Sequence, residues 1–487
     1  MKLKALLKDV AVLEMTADPE LEIGSVVYDT RKKITPGSLF VAIKGFTFDG
    51  NSYIPTALEK GAAAVVTATK PEKDIPYILV ESDRLALALI GANWHGCPAR
   101  SMTMIGITGT NGKTSSTLLL KHILEKTVGA KVGLIGTMWN LIGDEEIPTE
   151  RTTPESFELQ ALFARMRDAG CSHVIMEVSS HALSLDRVAG IQYDVAAFTN
   201  LTEDHLDFHK TMENYCDAKA MLFARCNKAV VNRDDPWHGR ICAGADCPLL
   251  TTSAQPGEGL YARDVRMLSD GISFEAVYGE KQAEVKLGIP GKFTVYNAMT
   301  ALGVALQLGI GLEQAAQALE SAKGVKGRVE VVPTPGMPYT VLIDYAHTPD
   351  GLENVLSSVR GFCKGSLIAV FGCGGDRDPI KRPIMGRIGS ELSDIAVITS
   401  DNPRTEEPAK IIDDILKGID QEKNTCIVIE NRRNAIHHAM DIGQKHDIIV
   451  LAGKGHETYQ EIHGVKYPMD ERVIVAEYLQ EKRKTNG

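Results

Sequence analysis

Short apolar runs recur along the chain, and amphipathic stretches separate most of them. Runs of this length, rich in Val and Ile, read as strands, whereas longer stretches with apolar residues every third or fourth position read as helices. In residues 1–100 the runs SLFVAI, AAAVVTA and YILVE predict strands around a helix at Tyr53–Lys60. LALALIGANW predicts a helix, stopped by Gly96-Cys97-Pro98. Residues 101–326 open with the strand MTMIGIT, a glycine loop and a helix from Thr114 to Lys126. A strand at KVGLIGT, a helix at FELQALFARMRDAG and strands at SHVIMEVSS and VAAFT follow, an alternation that implies parallel βαβ units. The more polar stretch 245–290 reads as a β-rich insertion, closed by a helix at Asn297–Leu308. Pro333, Pro335, Gly336 and Pro338 crowd the start of residues 327–487. There YTVLIDY, SLIAVFG, DIAVITS, CIVIE and DIIVLAG alternate with amphipathic stretches such as EPAKIIDDILKGI, the pattern of a doubly wound α/β domain.

Composition narrows the function classes. At about 100–200 residues per domain, 487 residues predict about three domains. Hydrophobic and charged fractions of 44% and 24% are those of a globular chain. With 53 basic and 63 acidic residues the net charge is −10, which argues against a nucleic-acid partner but leaves room for an anionic small molecule in a local basic pocket. Nine scattered cysteines with no C-x-x-C read as reduced thiols of a cytoplasmic protein. No apolar run reaches the ~18 residues of a membrane span, and Glu14 interrupts any signal-like start, so no membrane partner is expected.

The strongest local signal is Gly109-Thr110-Asn111-Gly112-Lys113-Thr114-Ser115, between a predicted strand and a predicted helix. Backbone N–H groups and the helix dipole favour phosphate there. Lys113 would reach terminal phosphates, and the Thr114 hydroxyl would bind Mg²⁺. Ile107 stands where the full eight-residue phosphate-loop pattern has glycine, so this is a shortened variant. Four polar clusters follow predicted strands of the last block: Asp344–His347, Gly372–Asp378, Asp401–Arg404 and Gly453–Glu457. In an open parallel sheet the carboxyl ends of the strands line one crevice, so four clusters on that edge favour a binding site over ordinary loops. In the middle block Glu177–His181 and Asn200–His205 stand in the same position, which makes Glu177 and His205 candidate ligands near the phosphates. Magnesium prefers oxygen, so His205 would be an unusual direct ligand. Lys219 reads, from its surroundings alone, as a solvated helix lysine.

Taken in order, TGTNGKT, MEVSSHAL, NLTEDHLDFH, DYAHTPD, GCGGDRD, DNPR and GKGHETYQ closely resemble the Mur ligases of peptidoglycan synthesis, over essentially the whole chain. The resemblance implies three α/β domains: a UDP-substrate-binding domain at 1–100, a P-loop ATPase domain at 101–326 and a Rossmann-like, amino-acid-binding domain at 327–487. It implies that ATP phosphorylates the free carboxylate of UDP-MurNAc-L-Ala-D-Glu and that the amino group of an incoming residue, meso-diaminopimelate, attacks the acyl phosphate. Two anions must approach each other in that chemistry, so cations and dipoles have to neutralise charge. A monomer is expected.

Carried over by position, the resemblance gives Gly109–Ser115 to the ATP phosphates, and Thr114, Glu177, His205 and Lys219 to the metals, with Lys219 carbamylated. Lys113, Lys219, His205 and Glu177 become the catalytic set. Asn297, Arg328, Asp344 and His347 are further ATP contacts. Thr30, Thr152, Thr153, Ser179 and Arg187 fall to the UDP substrate, and Arg377, Asp401, Asn402, Pro403, Arg404, Gly453 and Glu457 to diaminopimelate. Three positions depart from the common family pattern. Thr30 stands where Ser is usual, Arg151 where Asn is frequent, and Thr294 where Asn often follows Phe293. Two other readings stay open: a sibling ligase that adds another amino acid such as L-lysine or works on folyl-glutamate, and a nucleotide-dependent binding module that ligates nothing.

Overall fold

In the computed structural model, which describes residues 1–45, 48–149, 151–268, 271–324 and 326–485, each apolar run read as a strand forms one. The chain divides into two compact units. Residues 1–253, 257–260 and 299–311 make the first, and residues 254–256, 261–298 and 312–487 the second.

The first unit begins with a sheet of β1 (Val12–Met15), β2 (Ser25–Val27), β3 (Ser38–Ala42), β4 (Ala62–Thr67) and β5 (Tyr77–Val80), in the order β1-β5-β4-β3-β2. Strands β2 to β5 pair in parallel and β1 runs antiparallel on β5. β1 and β2 escape the sequence pattern because they are short, and β1 is largely exposed. The helix Asp83–Trp94 starts where Ser82 accepts from the Leu85 N–H at 3.2 Å, and it buries Leu87 and Ile90 against Leu39, Val41 and Ile78.

The unit continues with β6 (Thr103–Thr108), β7 (Val132–Ile135), β8 (Asn140–Ile142), β9 (Glu145–Ile147), β10 (His173–Glu177), β11 (Val195–Phe198), β12 (Ala229–Asn232) and β13 (Leu249–Ser253). Their order is β13-β12-β11-β6-β10-β7-β8-β9, parallel from β13 to β7 and antiparallel over the last two. Because β6 sits between β11 and β10, the segments that follow these three strands emerge side by side at one edge. The polar stretch after residue 245 is β-rich, as expected. β13 extends the parallel sheet, while β14 (Leu260–Leu268), β15 (Gly271–Tyr278) and β16 (Lys281–Leu287) follow, with β15 and β16 antiparallel. The next helix runs Lys292–Gln307, starting before the expected Asn297, because buried Val295 carries the apolar stripe of Ala298 and Met299 one turn further back.

The second unit's main sheet holds β17 (Glu330–Val332), β18 (Thr340–Asp344), β19 (Leu367–Phe371), β20 (Ile395–Ile398), β21 (Cys426–Val428) and β22 (Ile448–Ala452), in the order β17-β18-β22-β19-β20-β21. All pair in parallel except β17, an antiparallel edge that the sequence did not foretell. Alternate residues of the strands feed two cores. Leu342, Ala369 and Val450 face one, and Val341, Ile368 and Ile449 face the other. A hairpin of β23 (Tyr459–Ile462) and β24 (Val465–Pro468) stands apart from this sheet. No helix among the described residues is long and apolar enough to cross a membrane.

One ion pair of this unit is sealed from water. Arg432 and Glu471 have side-chain exposures of 0% and 1%, meet at 2.7 Å, and Arg432 also donates to the Ala452 carbonyl at 2.8 Å. Glu471→Gln should therefore lower the unfolding free energy by about 3–5 kcal/mol, because it strands a buried guanidinium, while Arg432→Met with Glu471→Leu should recover most of the loss. Urea unfolding of the two variants checks both expectations.

Candidate functional site

Four neighbouring strands of the first unit, in the order β11-β6-β10-β7, run into Thr199-Asn200, Gly109–Thr114, the end residue Glu177 and Gly136-Thr137. Gly109 has φ +148°, and a Cβ there would lie 1.9 Å from Thr199 Oγ1, so only glycine fits. The loop is pinned from the β11 side. Thr110 N–H donates to the Asn200 carbonyl at 2.8 Å, Asn111 N–H to Asn200 Oδ1 at 2.9 Å, and Thr199 Oγ1 to the Asn111 carbonyl at 2.7 Å. Gly112, also at positive φ, leads into the helix Lys113–Val128, with Ser115 in its first turn. The opening N–H groups of such a helix have no intrahelical acceptor and suit an anion. Lys113 Nζ donates to the Gly109 and Thr110 carbonyls at 2.9 and 2.8 Å, which places its ammonium over the loop.

Glu177, fully buried at the end of β10, accepts from Thr114 Oγ1 and the Thr137 N–H on Oε1 (2.9 and 3.1 Å) and from Thr137 Oγ1 on Oε2 (2.9 Å). Thr137 also bonds Thr152 Oγ1 at 3.0 Å, and Thr153 Oγ1 donates to the Glu177 carbonyl at 2.9 Å and lies 3.3 Å from the Ser179 hydroxyl. Arg187 closes this network, donating to the Thr153 carbonyl at 3.4 Å and facing Glu155 at 3.2 Å. Thr114 and Glu177, expected at the metal, and Thr152, Thr153, Ser179 and Arg187, expected at the UDP substrate, thus share one hydrogen-bonded chain, linked through Thr137 and the Glu177 carbonyl. Sequence reading missed Thr137, although its place just after the strand KVGLI gave the signal. Thr30 lies outside this network, its carbonyl accepting from Lys60 Nζ at 2.9 Å.

Lys219 overturns the expectation of a solvated lysine. It is 1% exposed, its Nζ donates to the Gly109 carbonyl at 2.9 Å, and it lies 4.5 Å from the centre of the Tyr215 ring. Burial, reinforced by the Lys113 charge, pulls its amine well below the ordinary lysine value. Its helix Met212–Ala220 is capped by Thr211 and braced by a two-pronged Asp217–Arg240 pair at 2.7 Å. His205, at φ +54°, is half exposed, faces Asp204 at 3.4 Å and packs edge-on against His181. Among the described residues no group of three or more His, Cys, Asp or Glu gathers at one point. The Thr114 hydroxyl and the Glu177 carboxylate are hard oxygen donors, the pair that a magnesium ion sharing phosphate and water ligands would need.

In the second unit, Asn297 is buried in its helix, and Asp344 accepts from the Val329 and Ala346 N–H groups at 2.8 Å each. Burial raises the Asp344 carboxyl above its usual range, opposed by the Arg328 charge. Arg328 stacks 5.4 Å from the centre of the Tyr345 ring, and His347 Nδ1 meets the Tyr345 carbonyl at 2.9 Å. The loops after β20 and β22 bring Asp401, Asn402, Arg404, Gly453 and Glu457 together. Asn402 Nδ2 donates to Glu457 Oε2 at 2.9 Å, and a Cβ on Gly453 would lie 2.7 Å from Asp401 Oδ2. Arg404, just after Pro403, donates to the Gly375 carbonyl at 2.7 Å and pairs with Glu461 at 3.3 Å. Glu461 belongs to the unforeseen hairpin. Arg377 stays exposed, donating to its neighbour's carbonyl at 3.1 Å. Lys454, given no role from sequence, is fully buried among these groups.

Family models cover most of the chain: "Mur ligase family, catalytic domain" at residues 22–99, "Mur ligase middle domain" at 107–305 and "Mur ligase, glutamate ligase domain" at 327–455. A Clostridium botulinum protein named UDP-N-acetylmuramoyl-L-alanyl-D-glutamate--2,6-diaminopimelate ligase is 47% identical, over 94% of this chain and 96% of its own. A solved structure of a ligase with that name superimposes with a TM-score of 0.77 at 30% identity, over 99% of both chains. The MurF ligase of Thermotoga maritima in complex with ADP, at 20% identity, shares the fold with a TM-score of 0.59 over 95% of this chain and 98% of its own.

Gly109→Ala should drive the loop off Thr199 and weaken ATP binding at least tenfold, about 1.4 kcal/mol. Gly244→Ala, where a Cβ meets nothing within 4 Å, should leave that affinity unchanged. Calorimetric titration with a non-hydrolysable ATP analogue distinguishes the two.

Proposed function

The chain belongs to the Mur ligase family, and on that premise we propose that it joins meso-diaminopimelate to UDP-MurNAc-L-Ala-D-Glu, at the expense of ATP, in peptidoglycan precursor synthesis. Residues 1–100 serve the UDP substrate, 101–326 the ATP chemistry and 327–487 the incoming amino acid. The free cysteines and the use of ATP support a cytoplasmic setting.

The phosphate loop does the first half of the work. The amides at the head of the helix Lys113–Val128 receive phosphate oxygens, and the Lys113 ammonium exchanges its loop carbonyls for the transferring phosphoryl. We assign magnesium to Thr114 and Glu177, with His205 and a carbamylated Lys219 as further ligands. Bound magnesium supplies charge neutralisation while the substrate carboxylate is phosphorylated. The buried Lys219 amine, shifted by burial toward its neutral form, suits carbamylation. The neutral amine adds to the carbon of CO₂, an N–C bond forms and one proton leaves, so an amine becomes an anionic oxygen donor whose N–H can keep the Gly109 carbonyl. Thr152, Thr153, Ser179 and Arg187 hold the UDP substrate, because the Thr137 bridge ties their network to Glu177. Asn297, Arg328, Asp344 and His347 make the remaining ATP contacts.

The observation that carries the choice of amino acid is Arg404, a planar cation on a stiff turn beside Asn402, Asp401 and Glu457. Diaminopimelate has a carboxylate beside its distal ammonium, where lysine has the ammonium alone. A guanidinium pairs with that carboxylate in two-pronged fashion and repels the lone ammonium. Arg377 supplies a second cation on the neighbouring loop.

Phosphate release with the UDP-dipeptide should require an acceptor and be fastest with meso-diaminopimelate, ahead of LL-diaminopimelate, L-lysine and L-ornithine. Preference for L-lysine would refute the assignment, and release without any acceptor would refute ligation. Arg404→Ala should lose meso-diaminopimelate by about 30- to several-thousand-fold, the ~2–5 kcal/mol of a broken buried charge pair, because Glu461 would then face the substrate carboxylate alone. The KM for ATP in the same assay should not follow.

A further inference from the structure

Lys454 is a buried ammonium that the ligase reading leaves without a task. It is fully buried, and its Nζ donates to Asn402 Oδ1 at 2.8 Å and to Glu457 Oε2 at 3.1 Å, with Asp401 Oδ1 at 3.9 Å. Each of these contacts settles how a pocket group is turned. Asn402 Oδ1 takes the Lys454 ammonium and the Glu461 N–H (2.9 Å), so its amide nitrogen must donate, and it does so to Glu457. Both bonds to Glu457 land on Oε2, which leaves Oε1 for another donor. Asp401 repeats the pattern: Oδ1 accepts the Asn402 N–H at 2.7 Å, while Oδ2 is buried with no hydrogen-bond partner among the described residues. That oxygen lies beside Gly453, where a Cβ would come within 2.7 Å of it. Two carboxylates thus share one internal cation, each with one oxygen engaged and one left over.

We propose that Lys454 is a positioning residue for the amino-acid acceptor, clamping Asp401, Asn402 and Glu457 so that the second oxygens of the two carboxylates receive an ammonium of the substrate. The inference rests on the ligase reading and deepens it. A buried carboxylate pair without a counter-cation repels itself, and a flexible pair would have to be ordered by each incoming substrate. Lys454 removes both costs before the amino acid arrives. The other charged and titratable groups acting on this cluster include Arg432 and Glu471, which neutralise each other, with Tyr345, Cys373, His456, Tyr459, Arg404 and Glu461 around it. None of them is a cation hydrogen-bonded to both Asn402 and Glu457, so none replaces Lys454.

The test is full steady-state kinetics of the intact enzyme with ATP, the UDP-dipeptide and meso-diaminopimelate. Lys454→Met should raise the KM for meso-diaminopimelate about 30-fold or more, while the KM for ATP changes by less than about twofold. Lys454→Arg keeps a cation in place and is the variant to read if Lys454→Met does not fold. Its KM for meso-diaminopimelate should also rise, because a guanidinium cannot occupy the same point, but by less than that of Lys454→Met. An unchanged KM for meso-diaminopimelate in either variant, or a KM for ATP that rises in parallel with it, overturns the inference. Wild-type enzyme that fails to ligate meso-diaminopimelate would instead overturn the ligase reading beneath it.

Discussion

The Lys219 amine, taken out of water and set 2.9 Å from the Gly109 carbonyl, joins the phosphate loop to a helix that follows it by more than a hundred residues. A buried ammonium with one carbonyl for a partner and Lys113 close by is costly, and the amine is accordingly shifted toward its neutral form. Much of the surrounding architecture serves that arrangement. Gly109 must be glycine to pass under Thr199, the Thr199-Asn200 segment pins the loop, and the Asp217–Arg240 pair braces the lysine's helix. A neutral amine in such a place can take up CO₂, whereas a solvated lysine at neutral pH is almost wholly protonated.

The second unit meets the same constraint with different means. Its buried cations, Arg382, Arg432 and Lys454, each have a carboxylate within hydrogen-bonding distance. Charge is buried there in balanced groups, so the loops after β20 and β22 can be rigid before any substrate is present. In both units the chemistry-bearing residues follow parallel strands whose apolar runs fix the register. The positions of Glu177 and Asp401 are therefore decided by cores they do not belong to.

The strands that define this frame were legible because a strand buried on both faces is a run of Val, Ile and Leu, which no solvent-facing segment imitates. The phosphate loop and the clusters after β18, β19, β20 and β22 were legible for the same reason, since their places follow from the strands. Lys219 was not. Its neighbours Ala218 and Ala220 do not tell a buried lysine from a solvated one, and its burial depends on a loop 110 residues away. Arg404's partner Glu461 was hidden because the hairpin carrying it has half-exposed residues and no apolar run. Lys454 lay inside a recognised cluster, yet nothing local distinguishes a lysine that binds phosphate from one that is buried against an amide and two carboxylates. The antiparallel edge strand β17, three residues long, gave too short a pattern to read.

The state of Lys219 can be read directly. Purified enzyme equilibrated with ¹³C-bicarbonate should give a slowly exchanging carbon signal in the carbamate region at neutral pH. Acidification should abolish it as CO₂ is released, and Lys219→Ala should lack it. Short carboxylates added to Lys219→Ala should partly restore ligation by supplying the missing anionic oxygens. A wild-type spectrum identical to that of Lys219→Ala, or full activity of that variant without added carboxylate, would contradict the role given to the buried amine.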